Sequence, residues 1–199
     1  MTDDESSDQN SPHHGHDPKT HDRRFHGQPE RLRSAERLAL LEVERVVALS
    51  LEGLQANSVL DVGCGTGLFT EAFINGGVDA TGIDANAEML AIARSKVPAA
   101  QFLEAPAEKL PFDIGVFDLV FLGHLLHETN DPLAALKEAS RVAKSRVVVL
   151  EWPYRREEQG PPLAHRLRPE AIEDLAHRAG FVEAERVQLK HMDLYRFGL

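Results

Sequence analysis

Between residues 61 and 84 the chain carries two carboxylates and three glycines whose types and spacing suit the capture of a small polar molecule. Asp61-Val62-Gly63-Cys64-Gly65-Thr66-Gly67 sets an acid just before a Gly-x-Gly-x-Gly run, and Asp84 follows Gly63 by 21 residues. Glycines at such a run let the backbone turn sharply and approach a ligand closely. A carboxylate at Asp84 can accept hydrogen bonds from both hydroxyls of a ribose.

Two ligand classes use this geometry. Dinucleotide sites need Gly-x-Gly-x-x-Gly, whose last glycine permits close helix packing under a pyrophosphate; here that sixth position is Leu68. Asp61 also argues against a pyrophosphate, because a carboxylate beside the loop repels phosphate and attracts an ammonium. S-adenosylmethionine carries an ammonium, a sulfonium and an adenosine and has no phosphate, so the loop chemistry favours it. An NAD-dependent oxidoreductase and a non-catalytic S-adenosylmethionine-binding protein are the competing readings.

These residues carry a resemblance. Asp61-Val62-Gly63-Cys64-Gly65-Thr66-Gly67 resembles the first motif of class I S-adenosylmethionine-dependent methyltransferases, and Gly82-Ile83-Asp84 resembles their acidic second-strand motif. Ala107-Glu108-Lys109-Leu110-Pro111-Phe112, Phe117-Asp118-Leu119-Val120, Leu126-His127-Glu128 and the segment after Asp131-Pro132 are similar to later motifs of the ubiquinone-biosynthesis-like, type 11 branch. The resemblance spans about Asn57 to Glu151; from Trp152 only the general terminal architecture is similar.

The resemblance implies a cofactor, S-adenosylmethionine, and a role for each residue. Gly63 and Gly65 would pass close to the methionyl moiety, Asp61 would help hold its ammonium, and Asp84 would bind the ribose. Ala85 and Met89 would flank the adenine, and Ala107 and Glu108 would lie at its edge. Gly123 and His124 would sit near the sulfonium end. Two departures stand out: Pro106 occupies a position where many relatives have an acid toward the adenine amine, and Lys144-Ser145-Arg146 replaces a common Pro-Gly-Gly.

Methyl transfer asks the protein mainly for alignment and water exclusion, with a base only where the acceptor must lose a proton. Catalytic candidates are His124, His127 and Glu128 after the fourth strand; Glu151, Trp152 and Tyr154 follow the fifth. His127-Glu128 is the sharpest pair for general-base work, and equally a loop whose side chains support the sheet end. Trp152 either lines the acceptor pocket or caps the core. Gly160-Pro161-Pro162 to His165-Arg166 reads as a stiff wall or lid. The stretch from Arg23 to Arg33, with His26 and Arg33, reads as a cover folded over the same mouth.

The elements that must position these residues follow from periodicity. Leu32, Ala35, Ala39, Val43, Val46 and Val47 share one face of a helix from Pro29 to about Leu51. Strands are expected over Ser58–Val62, Asp79–Ile83, Ala100–Leu103, Phe117–Leu122 and Arg146–Leu150. Helices are expected over Leu68–Asn75, from Asn86 to about Val97, from Asp131-Pro132 to about Ala143, and over Pro169–Ala179. Phe181–Leu189 and His191–Phe197 read as an antiparallel pair. The order is a helix, five strand–helix units and a terminal hairpin: a Rossmann-like, doubly wound α/β sheet, mostly parallel, with helices on both faces. Residues 29–199 read as a single domain behind a histidine-rich N-terminal segment, residues 1–28, expected to be largely disordered.

Composition bounds the partners. The 199-residue chain is 42% hydrophobic with net charge −10, so it builds one core and is not drawn to nucleic acid. Arg23, Arg24, Arg31, Arg33 and Arg37 read as a solvated helix face. The lone Cys64 excludes an internal disulfide and reads as a small buried filler. His13, His14, His16, His21 and His26 have no fixed-spacing partners, so no metal is expected. With no membrane-length apolar run and no signal core, the expectation is a cytoplasmic enzyme acting on a small-molecule methyl acceptor, with its oligomeric state open.

Overall fold

The structure, a computed structural model, describes residues 29–199. The reading of residues 1–28 as a disordered tail, together with Arg23, Arg24 and His26, lies outside the described residues.

A seven-stranded sheet has the order β3-β2-β1-β4-β5-β7-β6. Its first five strands, β1 (Ser58–Val62), β2 (Asp79–Asp84), β3 (Gln101–Glu104), β4 (Phe117–Gly123) and β5 (Ala143–Glu151), run parallel. The hairpin of β6 (Glu183–Gln188) and β7 (Asp193–Gly198) adds antiparallel strands beside β5. The connection between β6 and β7 is too short for a parallel crossover, which dictates that hairpin.

Alternation along β1 shows how the strands feed two layers. Val59 packs with Phe69 and Phe73 of α3 (Leu68–Asn75) and with Val46 and Val47 of α2 (Val43–Leu51) on one face. Leu60 and Val62 pack on the other face with Leu136 and Ala139 of α5 (Pro132–Val142) and Ile172 and Ala176 of α6 (Pro169–Ala179). Cys64, buried as expected, joins Leu90 and Ala93 of α4 (Ala87–Lys96), Val97 just after it, and Phe102 in a third cluster. Sequence signals set the helix starts: Asn86 accepts hydrogen bonds from the Glu88 and Met89 amides, and Asp131 accepts one from the Ala134 amide ahead of Pro132.

Two expectations are corrected. The first helix is not continuous from Pro29 to Leu51: a 3-10 turn (Pro29–Arg33), α1 (Ala35–Leu41) and α2 are separate, and Glu42 between the helices sits at φ 49°. Such a left-handed residue costs about 1 kcal/mol for a non-glycine. Tertiary contact fixes it, because one Glu42 carboxylate oxygen accepts the Lys190 amide from the β6–β7 turn and the other accepts from Arg45. The second correction concerns β3, which is followed by no helix. Residues 105–116 cross to β4 as a loop with Pro106 and Pro111, which remove the amides a helix would need. The helix α5 holds that loop instead: Glu138 accepts the Leu110 amide, and Arg141 donates to the Leu110 and Phe112 carbonyls.

The strand order reverses direction at β1, which lies between β2 and β4. The chain leaves these strands toward opposite faces and opens a crevice at their carboxyl ends. No helix among the described residues is long and apolar enough to cross a membrane.

Candidate active site

The crevice is a cavity of about 810 Å³ at the carboxyl ends of β1, β2, β3 and β4. Its floor is the turn after β1. The Gly63 and Cys64 amides both donate to the Ile83 carbonyl, at 2.7 and 2.9 Å, so this turn closes over the end of β2. Gly63, Gly65 and Gly67 have φ of 72°, 53° and 77°, a run of left-handed residues that only glycine adopts without strain. Gly67 is the N-cap of α3.

Two acids sit on this floor in different environments. Asp61 is buried, and the Thr70 hydroxyl of α3 donates to it at 2.6 Å. Burial pushes its carboxyl up to about 7, against the Thr70 hydrogen bonds that pull it down and with the Asp84 charge adding to the rise. Asp84 is half-buried; it accepts the Gly65 amide and the Asn86 amide, each at 2.8 Å. It therefore clamps the glycine turn to the start of α4 while facing the cavity.

Most sequence-predicted residues converge here. Asp61, Gly63, Gly65, Asp84, Ala85, Met89, Ala107, Glu108, Gly123, His124 and Glu128 all line the cavity. Pro106 lines it too, where relatives often carry an acid, and Glu104 at the end of β3 adds a carboxylate beside it. Glu108 reaches toward the Asp131 amide at 3.5 Å.

His127, expected as a base facing the acceptor, is the exception: it is not among the residues that line the cavity. It is buried outside the cavity lining, with Nδ1 2.7 Å from a Glu151 carboxylate oxygen and Nε2 3.7 Å from Glu128. Burial lowers its pKa, but the Glu151 and Glu128 charges more than offset that and hold it above its ordinary value. The same Glu151 accepts the His127 and Trp152 amides. His127 and Glu151 thus tie the loop after β4 to the end of β5, and only Glu128 of the His-Glu pair reaches the cavity wall. His127→Ala is expected to lower stability by about 1–3 kcal/mol in urea unfolding, the cost of a buried carboxyl left short of a partner. A folded H127A should keep its nucleoside affinity within threefold; a larger loss would place the imidazole in the site after all.

Trp152 also lies behind the cavity. It is buried against Gly160, with the Arg37 and Arg166 guanidinium carbons each 5.2 Å from its ring centre and His124 at 5.3 Å. Arg166 donates to the carbonyls of Pro153, Arg155, Gln159 and Pro161, which makes the Gly160–Arg166 segment a braced backing for Trp152. That segment lines a separate, smaller cavity, so it is neither wall nor lid of the larger one. Tyr154 stacks under Arg168, also away from the cavity.

Of the stretch expected to cover the mouth, the described part, from Pro29 onward, lies over the glycine turn. Leu32 comes within 3.8 Å of the position a Gly65 side chain would take; Arg33 donates to the Thr66 carbonyl at 2.8 Å and pairs with Glu71. Arg33 and Arg37 are therefore not on a solvated face. Sequence reasoning missed Arg37, Thr66, Leu125 and Glu104 as cavity residues. Helical periodicity assigned Arg37 to the polar side, and no local signal marks which polar residue meets a distant loop.

The donor set fits an amino-acid sulfonium nucleoside. Asp61 offers a buried anion for an ammonium and Asp84 an acceptor for hydroxyls; the buried Thr66 hydroxyl has no partner among the described residues and faces the same space. Among the described residues no cluster could hold a metal ion.

Comparison with known proteins points the same way. Residues 60–150 match the family described as a methyltransferase domain. The demethylmenaquinone methyltransferase of Chlorobaculum tepidum is 42% identical over 95 residues, 47% of this chain and 39% of that protein. The malonyl-[acyl-carrier protein] O-methyltransferase of Salmonella typhimurium is 32% identical over 137 residues, 69% of this chain and 53% of that protein. The chain thus spans about half or less of the length of these relatives. A crystal structure of a SAM-dependent methyltransferase from Aquifex aeolicus superposes with TM-score 0.76 at 26% identity, covering 85% of this chain and 96% of that one. Motif, topology and these likenesses agree: residues 60–150 match a methyltransferase domain, in a chain similar in sequence and fold to S-adenosylmethionine-dependent methyltransferases.

Proposed function

We propose that this chain transfers a methyl group from S-adenosylmethionine to a small-molecule acceptor. The observation that carries the reading is the pair Asp61 and Asp84 on the glycine turn: a buried acid where a cation would sit and a clamped acid facing outward where hydroxyls would sit. A pyrophosphate on that turn would meet the Asp61 carboxylate, which disfavours the NAD reading.

When bound, the cofactor supplies a methyl carbon already activated by its sulfonium. The protein's part is position and exclusion of water. Thr70 fixes the Asp61 carboxyl that would hold the ammonium. Asp84 would accept from the ribose while keeping the Gly65 amide in place. Met89, Ala107 and Glu108 would bound the adenine, and Phe69, Leu41 and Leu125 would keep the transfer region apolar. Gly123 and His124, at the end of β4, would face the reacting end, with Glu128 beside them. The names of the quinone-precursor and acyl-carrier relatives support a small organic acceptor rather than a nucleic acid, as does the net charge of −10.

The test has two stages. S-adenosylhomocysteine should raise the melting temperature of the purified chain by several degrees and NAD should not. The chain should then move label from methyl-tritiated S-adenosylmethionine into the small-molecule fraction of a cell extract. A shift by NAD alone would overturn the cofactor assignment; binding without any label transfer would leave a non-catalytic binder.

A further inference from the structure

Leu32, Arg37 and Leu41, which line the cavity, all come from the 3-10 turn and α1, residues 29–41. Within α1 only Leu41, at its carboxyl end, is buried; Ala35, Glu36, Leu38 and Ala39 are exposed. Helices shorter than about 12–15 residues are marginal in water by themselves. With seven residues, α1 therefore depends on docking for its helical state. At the amino end of the segment Arg33 donates to the Thr66 carbonyl and pairs with Glu71, and Leu32 lies over Gly65. Between the ends, Arg37 rests on Trp152. At the carboxyl end stands Glu42.

Glu42 joins α1 to α2 at φ 49° and ψ 44°, and its side chain makes no capping hydrogen bond to α2. Its carboxylate is engaged elsewhere: one oxygen accepts the Lys190 amide at 2.9 Å and the other accepts from Arg45. The Lys190 carbonyl in turn accepts from Arg155 at 2.7 Å, which fixes the β6–β7 turn that holds Glu42. On the far side of this junction α2 is seated in the core through Val43, Val46 and Val47. An exposed helix thus meets a buried one at a residue of costly backbone angle, pinned by a bond from a distant turn. Hinges absorb their change of φ and ψ at such element ends.

Resting on the methyl-transfer reading, we infer that residues 29–41 form a hinged cover, with Glu42 as its hinge and Arg33 as its latch, which closes over the nucleoside and opens to exchange it. The latch is coupled to the site because Gly65 and Thr66, the residues it engages, belong to the turn on which the nucleoside sits. A nucleoside that fixes this turn favours the latched cover, and by linkage the latched cover tightens the nucleoside by the same factor. Neither Arg33 nor Glu42 lines the cavity. Both are positioning residues, and each acts on the nucleoside through the placement of the cover.

The test follows amide hydrogen exchange and S-adenosylhomocysteine dissociation in the full chain. In the free protein the amides of Leu38 to Leu41 in α1 should exchange at least tenfold faster than those of Val46 to Ser50 in α2, and saturating S-adenosylhomocysteine should slow them at least tenfold. Arg33→Ala and Glu42→Ala should each speed dissociation at least fivefold. Glu42→Gln keeps an oxygen for the Lys190 amide and should stay within twofold of wild type. Exchange in α1 as slow as in α2, exchange that the nucleoside leaves unchanged, or unaltered dissociation in R33A or E42A overturns the cover. The wild-type exchange comparison decides alone if a variant does not fold. Failure of the methyltransferase reading itself would show separately, as absence of S-adenosylhomocysteine binding by calorimetry.

Discussion

Asp84→Ala is expected to weaken S-adenosylhomocysteine binding roughly 100-fold, close to 2.7 kcal/mol. Two losses add. The ribose hydroxyls lose a charged acceptor, and hydrogen bonds to charged groups contribute about 1.5–3 kcal/mol each before water replaces them. The Gly65 and Asn86 amides, each 2.8 Å from the Asp84 carboxylate, also lose the group that holds turn and helix together. Asp84→Asn separates these effects. Its amide oxygen can still accept from one backbone amide, but its NH2 cannot, so the turn is half-clamped and one hydroxyl contact survives. The expected order of dissociation constants by calorimetry is wild type, then D84N, then D84A. The same order should appear with adenosine alone, because the contact is to ribose. Unchanged adenosine affinity in a folded D84A would remove Asp84 from the ribose site.

What the sequence showed and what it hid divide along one physical line. The glycine turn, Asp61, Asp84 and the Asn86 and Asp131 caps were legible because their reasons are local: a φ that only glycine tolerates, a cap oxygen within three residues, an acid at a strand end. The cavity residues at those ends, from Ala85 to Gly123, follow once the strands are placed, since loops at the carboxyl ends of a parallel sheet must face the crevice. Arg37 and Glu42 were not legible. Their conformations depend on contacts across the fold, Arg37 with Trp152 and Glu42 with Lys190. Glu42 is at a left-handed angle that nothing in its neighbours requires. The Glu151 partner of His127 was hidden for a related reason. The position of His127 in a loop after β4 was right, but whether an imidazole faces the cavity or the sheet end is decided by Glu151, which arrives from a different strand. Turn chemistry is thus written in sequence, while the assignment of a polar side chain to one of two nearby spaces is written in packing.

Asp61 makes cofactor affinity a function of pH. A buried carboxyl held up to about 7 is about nine-tenths protonated at pH 6 and about one-tenth at pH 8. An ammonium beside it favours the ionised form, so binding must drive off that proton wherever it is present. The apparent dissociation constant for S-adenosylhomocysteine should therefore be about tenfold weaker at pH 6 than at pH 8, and binding at pH 7 should release about half a proton, measured by calorimetry in buffers of different ionisation enthalpy. Asp61→Asn should bind at least tenfold more weakly at pH 8 and lose the dependence between pH 6 and 8. An equal slope in wild type and D61N would show that another group sets it. The sign carries over to stability. The folded carboxyl lies above its unfolded value of 3.8, so its contribution to the ligand-free fold is present below about pH 4 and is lost as pH rises toward 7. A bound ammonium restores what ionisation removes. The rise in melting temperature with S-adenosylhomocysteine should accordingly be larger at pH 8 than at pH 6 in the wild type, and equal at both in D61N.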